Sequence, residues 1–405
     1  VRRFFHSDAA GSWVLVVAVA VALIWANLPG ASSTYEDVWS HPVHVGGATF
    51  SDFTTVQSWV NGGLMAVFFF VVGLEIGRER REGELGDART AVVPVAGALG
   101  GMAGAGLVYA LFNHGGPGSV GWGIPMATDI AFALGALALL GRRVPPGLRL
   151  LLLTLAVADD IGSVVVLAVF YSSRTRPAAL VGALAVTLVM VALRRWRRLP
   201  AWPLLVAGVG LWVLLAAGGV EPALAGVVVG VLVPATIAGS AAMPAADLET
   251  RVAPVSAFVV LPLFALANAG ITFHADMLSV HGASAVFAGI TAARVVGKLV
   301  GITLACFVVV RLGFGRLPEG ILWSHVAGGA AVAGIGFTVP LLIAEQAFSS
   351  NRPLVVASEL GLLVGSLVAF AVGAVLLLVV RRRIEWTRSL GDGVAAERDR
   401  PFIPW

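Results

Sequence analysis

Apolar stretches of membrane-spanning length recur from one end of this 405-residue chain to the other. A helix needs about 20 such residues to cross a bilayer. Twelve stretches can be marked, near 12–28, 59–77, 90–112, 121–140, 149–171, 178–193, 202–218, 222–237, 252–271, 284–311, 322–346 and 355–380. A soluble core could not bury them all: 58% of the residues are hydrophobic and only 12% charged, about half the charged share of soluble domains. The expectation is an all-α polytopic membrane protein. The first stretch follows basic residues, as a signal peptide would, but its apolar run is long and no cleavage site is clear; it is read as a span. The single cysteine, Cys306, precludes an internal disulfide framework.

The net charge of +4 does not point to nucleic acid, because the arginines cluster in short loops. Alternate loops divide the 27 basic residues unequally: 22 fall in the set that includes both termini, three (Arg174, Arg176, Arg352) in the other, and Arg294 and Lys298 lie within a span. That bias predicts cytoplasmic termini. One transmembrane domain over 1–385 and a polar, mobile cytoplasmic tail over 386–405 are expected. The outer loop "HPVHVGGATF" allows either a β-hairpin, about 40–53, or an irregular loop. "RRWRR", Arg194–Arg198, anchors the cytoplasmic interface and is a candidate seat for an anionic lipid.

Few charges sit at mid-span. They are Asp129, the adjacent Asp159 and Asp160 of "LAVADDIGSVV", and Lys298, the only lysine among 27 basic residues. Each carboxylate costs about 2.5–3.5 kcal/mol at bilayer depth, so ionisable groups there point to function. A structural ion pair would explain one acid with Lys298 and leave the others unexplained. Successive helical residues point about 100° apart, so Asp159 and Asp160 can do different work. Desolvation and mutual repulsion favour the protonated carboxyl, and a coupled pair titrates as a unit. Such a pair can hold a proton or, ionised, a hard cation. Lysine can lose its proton where arginine cannot. Arg294, one turn before Lys298, could pair with an acid or line the outer funnel. "GWGIPMATDIAFALG" and "AVAGIGFTVPLL" concentrate Gly and Pro and predict interrupted helices within 121–140 and 322–346. These are the fourth and eleventh stretches, corresponding members of the triplets 3–5 and 10–12.

Six strings occur in order along the chain: "MAVFFFVVGLEIGRE" (65–79), "ATDIAFALGALALLG" (127–141), "LAVADDIGSVV" (155–165), "LPLFALANAG" (261–270), "VGKLVGI" (296–302) and "GIGFT" (334–338). Together they resemble the NhaA-type sodium/proton antiporters. The rule that paired helix interruptions mark a transport site was drawn partly from that family and adds no independent weight. The resemblance implies twelve transmembrane helices, two inverted three-helix repeats, and fourth and eleventh helices that cross at Thr128, Asp129, Gly334, Gly336 and Thr338. It assigns cation and proton binding to Asp160 and Asp159. It implies that Asp129 offsets helix N-termini, and that Lys298 faces helix C-termini and pairs with Asp159. Glu75 and Arg78 match the cytoplasmic funnel, Glu249 an acid linked to pH response, and the outer hairpin a homodimer contact. Departures from the family pattern are Gly77 where a lysine is common, and Glu221 with Pro222 where a histidine is frequent. They bear on pH response, with which Glu221 is therefore grouped.

The function expected is electrogenic sodium (or lithium)/proton antiport by alternating access, with the ions as cargo and no cofactor. A sodium-coupled organic-solute symporter is the alternative, although the spans hold few of the Asn, Gln and Tyr residues a solute cavity needs. An intramembrane aspartyl protease would need two acids sharing a proton. There is no G-x-G-D string, and a neighbouring lysine would spoil the dyad, so no enzyme is expected. A channel fits a buried, proton-competed site less well than alternating access does.

Overall fold

The computed structural model describes residues 8–43, 53–82, 88–140, 144–171, 176–194, 202–235, 244–272, 278–318 and 320–398. Among these the chain is helical, with one isolated antiparallel bridge, Pro42 to Thr55. The first third comprises α1 (Asp8–Asn27), α2 (Ser32–Trp39), α3 (Val56–Trp59), α4 (Met65–Glu82) and α5 (Ala88–Asn113). A 3₁₀ segment, Ser119–Met126, leads to α6 (Ile130–Leu140). The middle holds α7 (Pro146–Phe170), α8 (Pro177–Arg194), α9 (Trp202–Gly218), α10 (Leu224–Leu232), α11 (Pro244–Val255) and α12 (Leu261–Asn268). The last third holds α13 (Ala283–Ala292), α14 (Lys298–Arg311), α15 (Trp323–Val332), α16 (Thr338–Ala347) and α17 (Arg352–Arg398). Three joins are π-turns, at Val60–Leu64, Ser256–Val260 and Ala293–Gly297.

Helix occupies all twelve stretches marked in the sequence. Seven are continuous and apolar enough to cross a membrane, and α1 with α2 forms an eighth candidate bent by 118°. This is a multi-pass membrane protein. The stretch expected at 222–237 contributes only the nine-residue α10. The tail expected from 386 is helical as far as Arg398, as a continuation of α17. Residues 44–52, which carry most of the expected hairpin, and 195–198 of the basic cluster lie outside the described residues. The Pro42–Thr55 bridge is closed by Val43 N–H to Thr54 O (2.9 Å) and Val56 N–H to His41 O (3.1 Å).

Small residues decide which helices touch. In a bilayer apolar burial gives little net drive between helices, so close backbone approach supplies the packing energy. Gly100 and Gly104 of α5 face Gly297 and Gly301 at the start of α14. A Cβ on Gly104 would stand 2.5 Å from the Gly297 carbonyl oxygen, closer than any real contact allows. Gly226 and Gly230 of α10 lie the same way against the backbone of α4. The α5–α14 seam places Lys298 in the interior, fully buried, while Leu107 and Leu111 on the outer face of α5 stay exposed, as lipid contact requires.

Both expected interruptions are present. Pro125 and the glycines around it leave only a 3₁₀ segment, and residues 127–129 are non-helical before α6 begins. Between α15 and α16, residues 333–337, which contain Gly334 and Gly336, are likewise unwound. These two breaks meet. Asp129 N–H donates to Ile335 O (3.0 Å) and Thr128 Oγ1 to Ala333 O (2.7 Å). Backbone groups freed by unwinding thus find partners in each other, the condition for irregular backbone at membrane depth.

Candidate functional site

The site is assembled where the two breaks meet α7 and α14. Asp129 is buried at the N-terminus of α6. Its Oδ1 accepts from Phe132 N–H (3.3 Å), the ordinary capping bond of its own helix. Its Oδ2 accepts from the N–H (3.3 Å) and hydroxyl (2.8 Å) of Thr338, the first residue of α16. One carboxylate therefore serves two helix N-termini, each with partial positive charge from its unpaired N–H groups.

Asp159 and Lys298 form a fully buried pair, with Nζ 2.7 Å from Oδ2. The same oxygen accepts Thr128 N–H at 2.8 Å, and Nζ also donates to Thr128 Oγ1 at 3.1 Å. The lysine is thus tied to the aspartate and, through Thr128, to the first break. Asp160, next along α7, is 4% exposed, and its Oδ1 has no hydrogen-bond partner. It lies within electrostatic reach of Asp159, Asp129, Glu75 and Lys298. The two adjacent acids are therefore in different situations: Asp159 is held through Oδ2 by Lys298, with its Oδ1 unpartnered, whereas Asp160 takes part in none of the described ion pairs within 4 Å. Among the described residues no three His, Cys, Asp or Glu side chains group to hold a metal ion. A cation at Asp160 would need neighbouring hydroxyl or carbonyl oxygens as well.

Arg78 gathers the residues expected at one funnel. Its guanidinium lies 3.0 Å from Glu249 and 3.8 Å from Glu75, joining α4 to α11. Glu221 does not belong with them. It precedes α10, accepts from Gln346 Nε2 at the end of α16 (2.8 Å) and from Ala223 N–H (3.4 Å), and is buried. Its hydrogen-bond partners, Ala223 and Gln346, lie beside α10 and on α16, not on α4 or α11.

Burial pushes the Glu221 carboxyl up to about 7, against the hydrogen bonds from Ala223 and Gln346. The fold thus favours the neutral acid. That contribution is complete below the ordinary glutamate range and is lost as pH rises to about 7. Glu221→Gln keeps an acceptor for Gln346 but cannot ionise. Thermal unfolding in detergent should show wild type losing several degrees relative to the variant between pH 5 and pH 8. Parallel curves would show that the carboxyl is already ionised.

Two features escaped the sequence. Ser163, one turn beyond Asp160, has a fully buried hydroxyl without a partner. Ser366 of α17 accepts Gly336 N–H (3.2 Å) and donates to Gly336 O (3.1 Å), bracing the second break. Ser163 lies inside the quoted string 155–165 but is not singled out there, and no quoted string holds Ser366. Only their depth within apolar stretches could have drawn notice.

Two unwound helix breaks are thus bonded to each other inside a multi-pass helical protein, with a buried acid pair and lysine at the junction. The chain belongs to the sodium/proton antiporter 1 family, whose model, described as Na+/H+ antiporter 1, matches residues 2–377. It is 41% identical to Na(+)/H(+) antiporter NhaA 3 of Frankia alni, over 97% of this chain and 91% of that protein. It is 41% identical to Na(+)/H(+) antiporter NhaA 2 of Sorangium cellulosum (93% and 90% covered). With Na(+)/H(+) antiporter NhaA of Escherichia coli it shares 40% identity (92% and 96% covered).

Proposed function

We propose that the protein exchanges sodium, or lithium, for protons across a bacterial inner membrane by electrogenic antiport. Family membership supports sodium/proton exchange as the reaction. The observation that carries the mechanism is the uncommitted, buried carboxylate of Asp160 beside the Lys298–Asp159 pair. Ionised, Asp160 can ligate a hard cation; protonated, it cannot, so the two cargoes exclude each other. Lys298 and Asp159 supply a second proton-exchanging unit at the same depth. Two protons against one monovalent cation would move net charge.

In this reading the twelve helices form two inverted repeats, one holding each break, with both termini cytoplasmic. Rocking about the bonded breaks presents Asp160 alternately to the two sides. Arg78, Glu75 and Glu249 line the cytoplasmic approach. The outer loop beyond the Pro42–Thr55 bridge joins two copies, and the basic stretch Arg194–Arg198 holds an anionic lipid. The test uses proteoliposomes with an imposed proton gradient and an internal pH dye. Sodium should dissipate the gradient and choline should not, with faster exchange when valinomycin and potassium supply a charge-compensating path. Dye responses indifferent to sodium would overturn the assignment. Responses indifferent to valinomycin would overturn electrogenicity alone.

A further inference from the structure

Arg294 is the largest completely buried side chain among the described residues. It forms neither of the contacts the sequence left open. Among the described ion pairs within 4 Å, no carboxylate pairs with it. Its guanidinium instead reaches backbone carbonyls: Nη1 donates to Ala127 O (3.3 Å) and Pro125 O (3.4 Å), and Nη2 to Ala127 O (3.3 Å). These carbonyls close the 3₁₀ segment Ser119–Met126. The chain turns extended at Ala127, with φ −73° and ψ 141°, so they lack the donors a continuing helix would supply and carry partial negative charge.

The surroundings are shaped to this side chain. A Cβ on Gly336, in the second break, would overlap Nη2, and a Cβ on Gly365 of α17 would press on Arg294 Cδ at 3.3 Å. A Cβ on Gly334 would stand 2.5 Å from the Arg294 carbonyl oxygen. Gly336 therefore does more than interrupt a helix, since its missing side chain is the space the guanidinium fills. The π-turn Ala293–Gly297 carries Arg294, and α14 begins at Lys298 one turn on. Neighbouring positions on one helix thus serve different partners: Arg294 the carbonyl end of the first break, Lys298 the Asp159 carboxylate. Residue chemistry matches each task. Guanidinium is a planar fork that stays charged, whereas a buried ammonium can give up its proton.

We propose that Arg294 is a positioning residue for transport, a fixed positive charge that pins the carbonyl end of the first broken helix against the second break and so holds Thr128 and Asp129 in the geometry of the ion site. The proposal rests on the antiport reading above. The acids that act on Arg294 electrostatically are Asp129, at the start of α6, and Asp159, on α7. Asp160 is also on α7, Lys298 lies on its own helix, and α16 and α17 contribute the hydroxyls of Thr338 and Ser366.

The experiment measures sodium-dependent proton movement in proteoliposomes across pH for wild type, Arg294→Met, Arg294→Lys and Gly336→Ala, with thermal unfolding in detergent alongside. Arg294→Met should raise half-saturating sodium at least about fivefold, the low end of coupling between sites. Arg294→Lys restores the charge but not the fork, so its half-saturating sodium should stay above wild type. Gly336→Ala keeps the arginine but fills its seat, and should raise half-saturating sodium as Arg294→Met does; it carries the test if Arg294→Met fails to fold. Active wild type with variants that lose only maximal rate or thermal stability would overturn the positioning role alone. A wild type indifferent to sodium would overturn the antiport reading and this inference with it.

Discussion

Asp160→Asn should abolish sodium-driven proton movement, by at least about a hundredfold, or roughly 2.7 kcal/mol of barrier, without unfolding the protein. Asparagine has nearly the same shape but cannot ionise, so it neither releases a proton nor presents a carboxylate to a cation. The stability expectation follows from what Asp160 touches. Its Oδ1 is buried without a hydrogen-bond partner, and three other acids act on it. A neutral amide removes both the repulsion and much of the desolvation cost. The variant should therefore melt in detergent at or above the wild-type temperature while its vesicles stay silent to sodium. Asp159→Asn, one residue away, should behave oppositely in stability, because it strands Lys298 without its counter-charge. Exchange surviving in Asp160→Asn at more than a tenth of the wild-type rate would sink the assignment of the cation to this carboxyl.

The contrast between the two aspartates shows how far sequence reasoning reaches at this site. Residue types and depth were readable: acids and a lone lysine inside apolar stretches announce themselves by their cost. Both helix interruptions were readable too, because Gly and Pro act on the backbone locally. What each charge touches depends on how distant segments pack, and local pattern is silent there. The sequence alone left open whether Arg294 pairs with an acid or lines the outer funnel, and gave no sign of the carbonyls it reaches, which are exposed only by the unwinding of another helix. Glu221 was grouped by a family trait rather than by place and lies with Gln346 instead. The hydroxyls of Ser163 and Ser366 carry no charge to betray them. The Gly-rich faces of α5 and α14 could be seen as small-residue spacing, but that they face each other, and so set the depth of Lys298, is a fact of the fold.

Lys298→Met should cost the native state about 3–5 kcal/mol, the usual penalty for breaking a buried ion pair and leaving one charge behind. Asp159 would then keep only the Thr128 N–H on the oxygen that Lys298 had held, and its other oxygen is already without a partner. The double variant Asp159→Asn/Lys298→Met removes both charges and keeps a side-chain oxygen to accept Thr128 N–H. It should recover most of the lost stability, because replacing a buried pair by uncharged groups of similar volume is often near neutral. A double-mutant cycle on detergent-solubilised protein reads this directly: the double variant should lose far less stability than the sum of the two single losses. Additive losses would mean that the 2.7 Å approach of Nζ to Oδ2 carries no coupling. Lys298 would then be buried for the helix seam rather than for its aspartate, and the second proton-exchanging unit of the transport cycle would have no basis.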